Sequence, residues 1–329
     1  MRMRRLLTPI LLLLASGLTL FAQQAPQYSL YMLNPYAYNP AYAGMDNTLV
    51  FTGVYRKQWS DLKGAPETQQ INGHLPLYMI SSGAGIRIEN TAIGAHRTTQ
   101  AVLSYSFQRE FGRHTQLSLG LSGGYLQYTL DGAKLRAPEG TYNEPAGVFL
   151  HNDPLLPEGR ISAGTPVLEV GVFLKWKELG IGIATQPVFA PVLEVKSGGA
   201  FRLQPIRHYM GMLSFQVMVG SNLAIRPSVL VKTDFVETQT EFSTIFRWRE
   251  HIFAGASFRG ISQHARDALV IAGGFRLNER TTLAYSFDLP LSALQTTQRG
   301  SHELLLRYEL NRPIGTGKLP PVIYNPRFF

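Results

Sequence analysis

Alternation of apolar with small or polar residues, at a period of two, is the feature that most constrains the fold of this chain. In the clearest segment the apolar side is formed by Leu168, Val170, Val172, Leu174 and Trp176. Comparable alternation recurs at 101–108, 241–249, 268–277 and 282–288. Because successive side chains of a strand point to opposite faces, each segment predicts a strand with two chemically different faces.

The second face of these strands distinguishes a membrane barrel from a soluble β-sandwich. A sandwich exposes many Lys, Glu and Thr, whereas here the second face is rich in Gly, Ala and Ser with scattered Arg and Glu. An apolar face toward lipid and a small or polar face toward a wet or plugged lumen is typical of a transmembrane β-barrel. The mean hydropathy of -0.03 is too low for a bundle of membrane helices.

The segments predict an antiparallel transmembrane β-barrel of about fourteen strands, with twelve or sixteen as alternatives. An even number places both ends of the barrel on one side of the membrane. Short connections alternate with longer ones, which predicts tight periplasmic turns and longer external loops. The strands are placed near 48–58, 67–79, 83–90, 98–110, 114–129, 166–177, 179–186, 206–219, 222–233, 239–249, 251–260, 267–277, 280–289 and 300–310.

The first 22 residues have the features of a secretory signal peptide. Three arginines, Arg2, Arg4 and Arg5, precede an apolar stretch at 6–14, and small residues follow up to Ala22. Cleavage after Ala22 leaves a strap at 23–46 before the barrel at 47–310. An uncleaved anchor helix is the alternative.

Two further stretches lie outside the predicted strands. The connection 130–165 is rich in proline and predicts a large external loop. The segment 311–329 contains four prolines, which exclude a strand. We expect this tail to sit in the periplasm or to fold back into the lumen.

The residues offer little support for catalysis or for metal binding. The chain has no cysteine, which excludes disulfides, a thiolate zinc site and a cysteine nucleophile. Its histidines are dispersed, and although His151 and Asp153 could bind a cation, a solvated loop is the simpler interpretation. The glycine-rich stretch 82–85 lacks a following helix and is interpreted as a turn. We therefore expect no enzyme and no cofactor.

Basic residues dominate, with a formal net charge of +9. A secretory signal argues against nucleic acid as the partner. On the predicted strands these groups can meet lipid phosphates at the rim or pair inside the lumen with Glu89, Glu169 and Glu241. The basic residues on polar faces or at strand ends are Arg87, Lys175, Arg226, Lys232, Arg247, Arg249 and Arg276.

The region after the signal peptide carries three ordered motifs. The first comprises Tyr31, Met32, Asn34, Pro35, Asn39, Pro40, Ala41, Tyr42, Ala43 and Gly44. The second comprises Tyr55, Arg56, Gln58 and Trp59, and the third begins with Gly64, Ala65 and Pro66. Together they resemble the PorP/SprF family of type IX secretion system membrane proteins from Bacteroidetes. The resemblance extends over essentially the whole mature chain.

This resemblance implies an outer-membrane barrel of a Gram-negative cell that acts in protein export, in surface attachment of adhesins or in gliding. It implies partners among the periplasmic ring proteins, a peptidoglycan-binding protein and a large secreted adhesin. The family has no catalytic residues to carry over, so the motif positions are interpreted as structural or docking elements. The alternative is a solute-transporting barrel of the fatty-acid-transporter or porin type.

The physical chemistry of the first motif suggests a stiff segment. Pro35 and Pro40 fix the backbone, and the asparagine before each is pushed toward extended conformations. Such a strap can line or plug a barrel, or it can simply lead into the first strand. We expect Arg56, Gln58 and Trp59 to end the first strand near the outer interface, with Trp59 at the lipid headgroups or against a partner.

Overall fold

The computed structural model describes residues 26–143, 148–153, 156–197, 199–260, 267–291 and 298–310. These residues form a closed antiparallel β-barrel of fourteen strands, as predicted. The strands, numbered along the chain, are β1 Val50–Lys57, β2 Glu67–Leu77, β3 Ser82–Ile93, β4 His96–Phe111, β5 Thr115–Asp131, β6 Arg160–Trp176, β7 Leu179–Phe189, β8 His208–Phe215 with its continuation Val217–Val219, β9 Leu223–Thr233, β10 Thr238–Trp248, β11 Ile252–Arg259, β12 Ala268–Asn278, β13 Thr281–Pro290 and β14 Ser301–Glu309.

Each strand pairs with its neighbours in sequence, and the first strand pairs with the last to close the barrel. The closing register runs from Val50 opposite Glu309 to Lys57 opposite His302. Closure removes the exposed sheet edges, so every spanning backbone segment has partners on both sides.

The alternation in the sequence becomes an outer and an inner face, as β10 illustrates. Phe242 and Phe246 are 48% and 46% exposed on the outer face, whereas Glu241, Ser243 and Ile245, on the other face of the strand, are buried. Apolar side chains on the outside and polar ones on the inside are the arrangement expected for a barrel surrounded by lipid. No helix within the described part of the chain is long and apolar enough to cross a membrane.

The two ends of the barrel differ in their connections. We call the end where β1 begins and β14 ends the short-turn end, and its six predicted short connections are confirmed. They are 78–81, 112–114, 177–178, 220–222, 249–251 and 279–280. The opposite end, which we call the long-loop end, carries the connections 58–66, 94–95, 132–159, 190–207, 234–237, 260–267 and 291–300.

Several predicted boundaries at the long-loop end are wrong. The strand expected to stop at 90 continues to Ile93, and the strand expected to start at 98 already starts at His96. Only two residues therefore connect them. Likewise β5 ends at Asp131 and β6 begins at Arg160, so the connection is shorter than the predicted loop 130–165. Strand pairing continues beyond the predicted ends because the polar side chains there do not interrupt backbone hydrogen bonding. Residues Thr141–Asn143 and Val148–Leu150 form a small hairpin within that loop.

The signal peptide predicted at 1–22 and the tail predicted at 311–329 lie outside the described residues. Both remain predictions from the sequence.

The turn between β3 and β4 allows a test of backbone strain without packing effects. Gly94 has a φ of +58°, in the left-handed region, and a side chain there would meet nothing within 4 Å. We expect Gly94→Ala to destabilise the barrel by about 1–2 kcal/mol, the cost of that region for an L-residue. The urea midpoint of unfolding measures the effect, with Gly53→Ala as the control because Gly53 is equally open and has no positive φ. Equal midpoints for the two variants would contradict this explanation.

Candidate functional site

The lumen is occupied by the segment that precedes β1. Residues 27–46, which we call the plug, contain three short 3-10 helices, Tyr31–Leu33, Pro35–Ala37 and Pro40–Tyr42. Every residue from 28 to 46 is buried. The plug reaches opposite walls, since Ser29 Oγ donates to Asp288 Oδ1 in β13 at 2.7 Å and Asn39 Nδ2 donates to the carbonyl of Val172 in β6 at 2.9 Å.

The asparagine-proline pairs account for the local shape of the plug. Pro35 and Pro40 each occupy the first position of a 3-10 helix, where a missing N–H has no cost. Asn39 is extended and caps its helix, because its Oδ1 accepts a hydrogen bond from the backbone N–H of Ala41 at 2.9 Å. The motif therefore encodes repeated sharp turns that compact the segment into the width of the lumen.

Glycines in the wall allow the backbone of the plug to touch the barrel. A Cβ built on Gly83 would lie 2.1 Å from the carbonyl oxygen of Ala43, and one on Gly120 would lie 2.1 Å from the amide nitrogen of Ala41. The interpretation of 82–85 as a turn is wrong, because Gly83 lies within β3 and faces the plug. Alternation alone cannot distinguish a turn glycine from one required by a close approach.

Hydrogen bonds from the wall fix the plug at the same place. Ser118 Oγ donates to the carbonyl of Ala41 at 2.6 Å, and Ser106 Oγ donates to the carbonyl of Ala43 at 2.7 Å. Toward the centre, Tyr36 and Tyr31 share hydrogen bonds with Ser104 and Ser228. The small polar residues of the inner face thus satisfy plug backbone and tyrosine hydroxyls that would otherwise be buried without partners.

A cluster of buried charges holds the plug near the long-loop end. Arg56 Nη2 lies 2.7 Å from Asp288 Oδ2, and Arg56 Nη1 lies 3.1 Å from Glu303 Oε2. Arg259 contacts the same Asp288 at 2.9 Å and Glu241 at 2.7 Å. We call these five residues the loop-side cluster. Arg56 is the penultimate residue of β1, at the long-loop end, and its side chain points into the lumen, so only 1% of the residue is exposed.

The loop-side cluster binds the plug through its backbone and a serine. Glu303 accepts hydrogen bonds from the backbone N–H groups of Ser29 and Leu30, at 2.7 and 3.0 Å. Ser29 Oγ also lies within 2.9 Å of both Arg56 and Arg259. Four strands therefore meet at the first turn of the plug.

Further contacts continue down the lumen. Arg87 Nη2 lies 2.5 Å from Glu169 Oε1, a pairing that the sequence allowed, and its Nη1 donates to the carbonyl of Ala37. Arg87 thereby connects β3, β6 and the middle of the plug.

At the short-turn end the plug contributes a charge of its own. Asp46 Oδ2 lies 2.6 Å from Arg307 Nη2, and Tyr42 donates its hydroxyl to Asp46 Oδ1 at 2.7 Å. Arg307 is also 2.6 Å from Glu309 and donates to the carbonyl of Leu33. Burial by itself would raise the pKa of Asp46, but the charge of Arg307 together with the hydrogen bonds from Tyr42 and Arg307 and a contribution from His74 lowers that pKa to about 2.

The other motif residues lie apart from the plug, in or beside the loop 58–66. Tyr55 faces outward, and its hydroxyl donates a hydrogen bond to Glu67 Oε1 at 2.9 Å. Gln58 donates its backbone N–H to the carbonyl of Pro66. The backbone N–H of Trp59, which is half-buried, donates to Ser301 Oγ at 3.2 Å.

The remaining motif residues have structural contacts. In the third motif, Ala65 donates its backbone N–H to the carbonyl of Leu62, and the carbonyl of Gly64 accepts a hydrogen bond from the backbone N–H of Gly94.

The other residues of the first motif contact the wall from within the plug. Gly44, with a φ of +76°, donates its backbone N–H to His74 Nδ1 at 3.1 Å. Asn34 donates to Gln70 at 3.1 Å, and Met32 is buried. The structure thus gathers the first motif and Arg56 in the lumen and leaves the others at the long-loop end.

Sequence reasoning missed the roles of Arg259, Asp288 and Arg307. Arg259 and Asp288 each occupy an inward position of a strand whose other inward residues are small or apolar, which is the signal that could have singled them out. Arg307 shares the inward face of β14 with Glu303 and Glu309, so it carried no such signal. Within the described ranges, no group of three or more His, Asp or Glu could hold a metal ion. One cavity of about 30 Å³ lies beside the plug at the short-turn end.

Comparisons with known proteins give matches at two levels. No curated protein matches the chain significantly. Among solved structures, the toluene transporter TbuX of Ralstonia pickettii is 10% identical, covering 83% of this chain and 92% of the other, with a TM-score of 0.49. Omp33 of Acinetobacter baumannii is 7% identical, covering 80% and 97%, with a TM-score of 0.45. The strand pairings, rather than these similarities, define the architecture.

The family comparison is more specific. A family model described as type IX secretion system membrane protein PorP/SprF matches residues 20–308, which include the plug and nearly all of the barrel. The chain therefore belongs to the PorP/SprF family of type IX secretion system membrane proteins.

Proposed function

We propose that the protein is a non-conducting, non-enzymatic barrel of the outer membrane that serves type IX secretion by binding other envelope proteins. In this role it supports the export or the surface anchoring of secreted proteins. The short-turn end faces the periplasm, where ring proteins and a peptidoglycan-binding protein are the candidate partners. The long-loop end faces outward, where a large secreted adhesin is a further candidate.

The filled lumen is the observation that carries this proposal. The plug makes hydrogen bonds or ion pairs with the wall at both ends and at its centre. Removing it would take from Asp288 and Glu303 the hydrogen bonds of Ser29 and from Arg307 the carboxylate of Asp46, in a lumen where unpaired charges are costly. A barrel closed in this way is suited to present fixed surfaces on both sides of the membrane.

Gene deletion tests the cellular part of the proposal. We expect cells that lack the protein to lose export or surface attachment of their type IX substrates and, where they glide, to lose motility. The measurement is the amount of these proteins in the medium and on the cell surface, with re-expression of the wild-type gene as the control. Normal export together with impaired uptake of a small solute would instead support the transport alternative.

The closed lumen gives a separate prediction for the purified barrel. In planar lipid bilayers we expect the wild-type protein to show no stable conductance steps, and liposomes containing it should not swell in small sugars. A general porin reconstituted in the same lipid is the positive control. Reproducible conductance or swelling with the wild-type protein would contradict the non-conducting role.

A further inference from the structure

Four arginines converge on the cavity at the short-turn end. Its charged lining comprises Arg226 of β9, Arg247 of β10, Arg276 of β12, Arg307 of β14 and a single acid, Glu309. We call this cavity the arginine pocket. Its other lining residues are Met32, Leu33, Pro35, Tyr42 and Thr282.

The barrel geometry explains why these side chains meet. Arg226 follows the inward alternation of Ser228 and Leu230, both of which are buried. In the register of β9 with β10, Arg247 pairs with Ala224 and Arg226 pairs with Ile245, so the two arginines are diagonal neighbours. Both lie near the end of their strand at the short turns, where the lumen opens.

Arg226 and Arg247 differ from Arg307 in their ion-pair partners. Arg307 already has Asp46 and Glu309 as partners. Among the described residues, neither Arg226 nor Arg247 forms an ion pair, although both are half-buried. Like charges held this close repel one another, so a bound anion would lower the electrostatic energy of the pocket.

The sequence beyond β14 cannot supply that anion from its side chains. Residues 311–329 include Arg312, Lys318 and Arg327 and contain neither aspartate nor glutamate. The sequence after Glu309, the last residue of β14, therefore carries only basic charged side chains. The arginines that line the pocket favour an acidic partner at the short-turn end.

The lining of the pocket indicates which anion fits. Met32, Leu33 and Pro35 provide an apolar wall for the carbon stem of a carboxylate side chain. Arg307 shows the same chemistry within the chain, since it binds the carboxylates of Asp46 and Glu309.

We propose that the arginine pocket binds a carboxylate side chain from an acidic segment of a partner protein that docks on the short-turn end. The inference rests on the proposed function for the side of the membrane from which the partner comes. Arg226 and Arg247 hold the carboxylate through charge-assisted hydrogen bonds, and the apolar wall selects an acid carried on a side chain.

Peptide binding to the purified full-length protein in neutral detergent tests the proposal. The probe is tetraglutamate amide labelled with fluorescein at its N-terminus and followed by fluorescence anisotropy, with the equally labelled tetralysine amide as its counterpart. We expect the glutamate peptide to bind, and the R226Q/R247Q variant to bind it about tenfold more weakly or worse. The matched control is R113Q/R280Q, which removes two exposed charges from turns at the same end.

The outcomes separate the alternatives. Equal weakening by the two double variants, or no binding of the peptide to the wild-type protein, would overturn the proposal. Displacement of the peptide by micelles containing phosphatidylglycerol, but not by zwitterionic ones, would overturn it in favour of a lipid phosphate. The peptide assay uses purified protein and tests only the pocket. A negative result would therefore contradict the pocket and not the proposed function, which the deletion strain tests separately.

A second measurement avoids any dependence on folding of the variant. Phenylglyoxal modifies accessible arginines, and mass spectrometry reports each site in the unaltered protein. We expect the glutamate peptide to slow modification of Arg226 and Arg247 while leaving that of Arg280 unchanged. Equal rates with and without the peptide at all three sites would count against the pocket.

Discussion

Substitution of Arg56 by methionine should destabilise the folded barrel by about 3–5 kcal/mol, the usual cost of removing one partner from a buried ion pair. The methionine would leave Asp288 and Glu303 without their shared partner, and both carboxylates are nearly inaccessible to water. Arg259 can compensate Asp288 in part, because it already lies 2.9 Å from that carboxylate. No second arginine forms an ion pair with Glu303 within the described ranges, so this acid should bear most of the penalty.

The urea midpoint of the folded, fast-migrating form on unboiled gels measures the effect of Arg56→Met. The matched control is Arg160→Met, because Arg160 pairs with Asp131 at 3.2 Å and its own side chain is 70% exposed. Exposed pairs contribute about 0–1 kcal/mol, so the control should shift the midpoint little. Similar shifts for the two variants would show that the loop-side cluster does not stabilise the barrel.

Substitution of Gly120 by valine should displace the plug from the wall while leaving the strands paired. The new Cβ would overlap the backbone of Ala41, which cannot move aside as the end of a flexible side chain could. Overpacking typically costs about 1–3 kcal/mol, and each 1.4 kcal/mol is about a tenfold shift in an equilibrium. We therefore expect the valine to increase the population of the displaced state, in which the helix Pro40–Tyr42 has left the wall, by the factor that corresponds to this cost.

The absence of cysteine makes this displacement measurable. A single Ser118→Cys substitution places the only thiol at a fully buried position beneath Ala41. It should be blocked toward maleimide in the otherwise unchanged protein and should react faster when Gly120→Val is added. The control is Gly53→Val, at an outward position of β1 with nothing within 4 Å. Unchanged protection in both backgrounds would mean that the plug tolerates the valine.

The spanning strands could be predicted because their signal is local. The segment 168–176 alternates at every position but Phe173, and it lies within β6, whose outward residues Leu168, Val170 and Val172 are exposed to the lipid side. Alternate residues of a spanning strand face lipid and lumen, so one set must be apolar and the other small or polar. This requirement produces the period of two in the sequence. The extensions of β3 and β4 beyond 90 and before 98 were missed because polar residues there pair as strands without alternating.

The contents of the lumen were less predictable because they depend on contacts between distant residues. The stiffness of the Asn-Pro segment follows from proline chemistry, and its resemblance to PorP/SprF follows from the motif. Neither indicates that Ser29 meets Asp288 across 259 positions of sequence. Arg56 likewise looked like a residue at the end of a strand, and only closure of β1 against β14 places it beside Glu303.

The sequence by itself determined the barrel and its family, because alternation and contiguous motifs are properties of neighbouring residues. Only the tertiary structure decided that the lumen is filled, that Gly83 and Gly120 make room for the plug, and that four arginines face one cavity. The physical reason is closure: bending the sheet on itself brings inward side chains from distant strands within hydrogen-bonding distance. A charge that looks isolated along the chain thereby becomes one member of a buried network.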